Sequence, residues 1–199
     1  EIHPPEGADN SLVLPWFTFA IHFVVNIPGQ PRNNELVLTP KSITRILDGL
    51  ATNWTDGEIT ADNLWINSLS PAPGFIKLIA KEDKDTIYDY MSTHLSNGFK
   101  KWGEEDTSQL QTYEQMVAIA NGVEGAIAYG PFLGEMPKNT RFASIKWTGA
   151  PTAVTPSYDS VLTCTQSSKS FNPRTLAFTP NPAEGGCYPL TLTVNTIFH

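Results

Sequence analysis

Residues 12–27 (LVLPWFTFAIHFVVNI) are a nearly continuous apolar run rich in Val, Ile and Phe that stops at Asn26-Ile27-Pro28-Gly29. β-Branched and aromatic residues favour an extended chain, and an apolar stretch without polar alternation needs cover on both faces. The run therefore predicts a buried strand followed by a turn, enclosed by further layers. Its most apolar part, residues 17–25, is interrupted by Thr18 and His22 and falls short of the roughly 18 to 20 apolar residues that span a bilayer. A soluble chain with no membrane span is expected.

The segments that follow alternate in type. Residues 35–38 (ELVL) read as a short strand, and Thr39-Pro40 as an N-cap with proline in the first helical position. Ile43, Ile46 and Leu47 then share a face before Gly49 ends the helix. Residues 51–63 read as loop or short turns, and 75–80 (FIKLIA) as a central strand. The charged turn 81–85 (KEDKD) leads into a helix over 86–95, with Ile87, Tyr88, Met91 and Leu95 at helical spacing. A further helix is capped by Asp106, Thr107 or Ser108, carries Leu110, Tyr113, Met116, Val117 and Ala120, and stops at Asn121-Gly122. Residues 123–129 (VEGAIAY) are strand-like. This alternation predicts an α/β fold, a mixed or parallel sheet flanked by helices. Beyond Pro131, strand candidates at 141–147, 151–154 and 188–197 are separated by Pro, Ser, Thr and Gly, while residues 1–10 are a polar lead-in.

The charge balance excludes one class of partner. With 20 acidic and 13 scattered basic residues, net −7, the chain lacks the clustered cations that hold a nucleic-acid backbone. His3, His22, His94 and His199 stand in unrelated contexts without metal-ligand spacing. No G-x-S-x-G, P-loop or G-x-G-x-x-G occurs, so neither an enzyme nor a cofactor is expected. The carboxylate clusters Glu82, Asp83, Asp85 and Glu104, Glu105, Asp106 precede helices, where capping and the helix dipole favour them. Lys81 lies at a strand end before a helix N-terminus, the position where open α/β sheets receive ligands, although the acidic residues beside it would repel an anion or pair with it. Cys164 and Cys187 are the only cysteines; an even count without a C-x-x-C points to one disulfide and an oxidising compartment, against the alternative of two buried thiols. Asn53-Trp54-Thr55 is an N-glycosylation sequon, consistent with a secreted or extracellular chain.

The order of several short motifs resembles the phosphate-binding proteins of bacterial phosphate transporters. These are Val24-Val25-Asn26-Ile27-Pro28-Gly29, Glu35-Leu36-Val37-Leu38, Ile46-Leu47-Asp48-Gly49, Trp54-Thr55-Asp56-Gly57-Glu58-Ile59, Gly125-Ala126-Ile127-Ala128-Tyr129 and Tyr188-Pro189-Leu190-Thr191. The resemblance implies two α/β lobes, joined by paired crossover strands, that close on a phosphate. This chain would supply mostly the second lobe, as a single domain over 15–199 after a lead-in at 1–14, with crossover strands at 15–27 and 188–197. The family's R-x-D-G-S-G-T ligand segment corresponds to Lys81-Glu82-Asp83-Lys84-Asp85-Thr86, so the implied site residues are Lys81, Asp83, Asp85 and Thr86. Lys84 and Asp85 replace Gly-Ser, and a carboxylate in place of a hydroxyl donor weakens an anion site by on the order of several kcal/mol. Residues 157–187 are expected to be a disulfide-stapled loop where the family has helix. Two roles follow: a secreted, non-catalytic domain with weakened or lost phosphate or small-anion binding, or a structural or adhesive extracellular component. The second would use the apolar strand at 17–25 for self-association or for another extracellular protein.

Overall fold

The computed structural model describes residues 12–80, 86–95, 112–132, 136, 138–166, 171–172, 177–178 and 185–198. The apolar run forms β1 (Leu12–Val25), which begins three residues before the domain boundary expected at 15. The remaining strands are β2 (Leu36–Leu38), β3 (Lys77–Ile79), β4 (Ala126–Phe132), β5 (Arg141–Ile145), β6 (Phe171–Asn172), β7 (Ala177–Phe178) and β8 (Thr191–Phe198). The helices are α1 (Pro40–Leu47), the single turn α2 (Gly57–Thr60), α3 (Thr86–His94), α4 (Tyr113–Gly122) and α5 (Tyr158–Gln166), with a 3-10 segment at Leu64–Ser68. Among the described residues the main sheet has the order β2-β5-β1-β4-β3, with β8 also on β1, and β6 and β7 form a separate hairpin.

β2 is parallel to β5 and β3 to β4, whereas β1 is antiparallel to β4, β5 and β8. Five strands of the described sheet, β2, β3, β4, β5 and β8, therefore run one way around the single reversed strand β1. One side of β1 pairs with β4 from Ala20↔Phe132 to Val25↔Ile127. The other side pairs first with β8, from Leu12↔Phe198 to Ala20↔Thr191, and then with β5 at Val24 and Val25. β1 and β8 form a long antiparallel ribbon where the family resemblance implies crossover strands, and its register shifts between Pro15 and Phe17, where proline offers no N–H to the ladder.

Where β8 ends, the backbone of β1 is completed by other groups. The Ile21 N–H donates to the Leu190 carbonyl at 2.8 Å, and the buried Tyr188 hydroxyl donates to the Ile21 carbonyl at 2.9 Å. Burial pushes the Tyr188 phenol well above its ordinary range. This gives the Tyr188-Pro189-Leu190-Thr191 motif a physical role: it supplies backbone partners to β1 that a strand would otherwise provide.

The sheet is covered on both faces. Ile21, Phe23 and Val25 pack with Leu36, Leu38, Ile43, Ile46, Leu47, Trp54, Met91 and Leu190 in the larger cluster, and Val24 packs with Ile79, Met116, Val117 and Ala120 in the smaller. On the α4 face β4 presents Ala126, Ala128 and, two residues on, Gly130. A Cβ on Gly130 would stand 2.6 Å from Tyr113 Cδ1, so the small residues let α4 lie close to the sheet. Gly125, at φ +82°, admits no side chain, because a Cβ there would meet the Phe75 carbonyl at 2.5 Å.

Local chemistry explains where the helices start. Thr39 caps α1 in a reciprocal box with Ser42, with Pro40 following it as expected. Thr112 caps α4 in a box with Gln115; the earlier caps at 106–108 and the stripe residue Leu110 lie outside the described residues. Three expectations need correction. Of residues 75–80 only Lys77–Ile79 form a strand, at an edge of the described sheet and paired with β4; Leu78 and Ile79 are apolar because both faces are covered, not because both sides are paired. Residues 157–187 do not begin as a loop: Ser157 and Ser160 exchange capping hydrogen bonds and open α5. Residues 151–154 make one bridge, Ile145↔Val154, rather than a strand.

His22 lies on β1 between these layers, 1% exposed, edge-on to the Phe142 ring at 5.2 Å. Burial lowers its pKa from 6.5 to about 4, opposed by a contact with the Gly130 backbone. Because the folded value is depressed, the unfolded chain binds more protons between the two values, and stability falls as pH drops through that window. Full protonation costs roughly 3 kcal/mol. Urea unfolding at pH 7 and pH 4 is expected to show this loss, and His22→Leu to lack that part of it; an unchanged pH slope in the variant would contradict the assignment.

Candidate functional site

Open α/β sheets receive ligands at the carboxyl ends of their parallel strands. Here β2, β5, β4 and β3 run the same way, so their C-terminal ends lie on one edge. That edge carries Thr39 after β2, Lys146 after β5 and, in the segment following β3, the start of α3 at Thr86. Lys81, Asp83 and Asp85 lie outside the described residues. Thr86 is the first residue of α3; its side chain is outside the description.

The two lysines described at this edge are paired with carboxylates. Lys146 Nζ lies 2.8 Å from Asp62 Oδ1, and Lys41, in the first turn of α1, lies 2.6 Å from Glu58 Oε1. Further along α1, Arg45 grips Asp56 through two nitrogens, at 3.3 and 2.8 Å. Asp56 also caps α2 by accepting from the Glu58 N–H, and the Arg45 hydrogen bond holds its carboxyl below the usual range. Thr39 has its hydroxyl committed to the capping box. The edge thus brings together a helix start, a hydroxyl and two lysines, each lysine carrying a carboxylate.

Asn63 is a structural residue that the sequence does not mark. Its Nδ2 donates to the Val37 and Ile59 carbonyls, and its Oδ1 accepts from the Val37 N–H, all at 2.7 Å. It thereby satisfies the outer backbone of edge strand β2 in place of another strand. At the opposite edge, Gln30, Arg32, Asn33, Asn34, Glu35, Arg141 and Phe142 line an open cleft of about 260 Å³, where Arg141 donates to the carbonyls of Gln30 and Pro31.

Cys164 and Cys187 are bonded, as expected, with Cα atoms 4.6 Å apart. The bond ties α5 to the segment entering β8. A loop of this size contributes about 3 kcal/mol by chain-entropy reasoning. At the sequon, Asn53 Oδ1 accepts from the Thr55 N–H and hydroxyl at 3.0 and 2.9 Å, while Trp54 is fully buried with its indole N–H on the Gly125 carbonyl. Among the described residues no group of three or more His, Cys, Asp or Glu is placed to hold a metal, and no helix is long and apolar enough to cross a membrane.

The profile of the PBP superfamily domain matches residues 17–198. The chain belongs to the PBP superfamily. Solved structures with the same fold include an ABC-type phosphate transport receptor from Vibrio cholerae, at 15% identity and TM-score 0.55 over 94% of this chain and 59% of that one. A phosphate-binding protein from Stenotrophomonas maltophilia aligns at 12% identity and TM-score 0.54 over 94% and 55%. A putative phosphate ABC transporter substrate-binding protein from Clostridium perfringens, solved with bound phosphate, aligns at 14% and 0.51 over 95% and 59%. This PBP-like chain therefore spans less than two thirds of the length of each. No curated protein sequence matches it. The resemblance drawn from the motif order holds at the level of family and fold.

Proposed function

We propose that this chain is a secreted, non-catalytic PBP-like domain that corresponds mostly to the second lobe of a phosphate-binding protein and whose anion edge has weakened or lost its affinity for phosphate. The observation that carries the reading is the pairing of Lys146 with Asp62 and Lys41 with Glu58 at that edge. Releasing such exposed lysines costs little, at most about 1 kcal/mol each. The carboxylates matter more. One negative charge about 7 Å from a bound monoanion opposes it by roughly 0.6 to 2.4 kcal/mol between effective dielectrics of about 80 and 20, or about three- to sixtyfold in affinity. Asp85, standing where the family's segment has Ser, adds a negative charge and removes a hydroxyl donor. The disulfide and the sequon support an oxidising, extracytoplasmic setting. Calorimetric titration with phosphate and with sulfate is expected to give no saturable heat below about 1 mM, an affinity scale of about 4 kcal/mol. Saturable micromolar phosphate binding would overturn the reading.

A second reading, a structural or adhesive component that self-associates or binds another extracellular protein, is favoured by one feature. Phe17 on the β1–β8 ribbon is 47% exposed and lies beside Phe19, with ring centroids 6.0 Å apart. Sedimentation equilibrium is expected, on this reading, to show dimers or larger species that Phe17→Ser disperses; a monomer at high concentration removes it.

A further inference from the structure

We infer that Asn53 carries an N-linked glycan whose first sugar lies over the exposed ring of Phe75. Asn53 and Phe75 face each other in an isolated antiparallel bridge. The flanking hydrogen bonds run from the Ile76 N–H to the Thr52 carbonyl and from the Trp54 N–H to the Gly74 carbonyl. This is the pattern of a non-hydrogen-bonded pair, in which the two side chains stand on one face at their closest spacing. Phe75 is 72% exposed, an unusual position for a phenylalanine ring beside a partly exposed asparagine.

The two side chains are presented by a fixed backbone. Trp54, the middle residue of the sequon, is buried with its indole N–H bonded to the Gly125 carbonyl, and the Phe75 carbonyl is packed against Gly125. Asn53 Oδ1 is occupied by Thr55, whereas Nδ2, the atom that a glycan modifies, makes no hydrogen bond to a described residue. Attachment therefore breaks no bond of the fold. In the transfer step Nδ2 bonds to the anomeric carbon of a diphosphate-activated glycan donor, the C–O bond to the diphosphate breaks, the diphosphate carrier leaves, and Nδ2 gives up one proton. The attached sugar brings a face of C–H bonds against the electron-rich face of the ring. Because both partners are pre-positioned, little ordering entropy opposes the contact.

Three forms of the intact chain test this: one made in a eukaryotic secretory host, the same protein trimmed by endoglycosidase to its first sugar, and one made in a bacterial periplasm without glycan. Peptide mass analysis is expected to find a glycan on Asn53 that Thr55→Ala abolishes. Phe75→Ala is expected to lower Tm by about 2 °C more in the full and trimmed forms than in the bare form. An unmodified Asn53 in a host that glycosylates a control sequon, or the same Tm change in all three forms, would overturn the inference.

Discussion

The reversed strand β1 is the constraint on which the rest of the structure depends. An extended segment in the middle of a sheet must pair its backbone on two sides and cover its side chains on two faces. Residues 20–25 of β1 achieve this with β4 on one side and the end of β8, the Tyr188 hydroxyl and β5 in succession on the other. The parallel strands have no other strand between β5 and β4, so the direction and register of β1 decide where their carboxyl ends fall. The position of the candidate anion edge thus follows from β1, while the lysines and the hydroxyl named at it, Lys41, Lys146 and Thr39, belong to other segments.

Much of this was legible in the sequence because it depends on local signals. The apolar run specifies β1, and Thr39-Pro40 specifies the start of α1. Ile87, Met91 and Leu95 are buried along the helix that their spacing predicts. The illegible parts rest on distant partners. An apolar segment such as 75–80 cannot reveal whether its cover comes from strands or helices, so its place at the edge was hidden. The Ser/Thr-rich sequence 157–166 has weak helix propensity, yet α5 forms because Ser157 and Ser160 cap it and Cys164 and Cys187 fix it to the sheet. The service of Asn63 to β2 depends on a contact 26 residues away, which no local pattern encodes.

The candidate site divides in the same way. Lys81, Asp83, Asp85 and Thr86 are implied by a family motif alone, and only the start of α3 is described at that place. The pairing of Lys146 with Asp62 spans 84 residues and becomes visible only when β5 and the turn after α2 meet. Asp62 and Glu58 stand beside the lysines of the candidate edge and balance their charge. The strand that organises the fold and the paired lysines of the candidate edge are different residues, so fold and ligand chemistry are specified separately.

Residue-resolved native-state hydrogen exchange tests the dependence on β1 most directly. The account predicts that amides of residues 20–25 exchange only through global unfolding, with a protection free energy equal to that of the whole domain, while β2 and β3 open at lower free energies. Exchange of residues 20–25 at a lower free energy than β2 or β3 would contradict it.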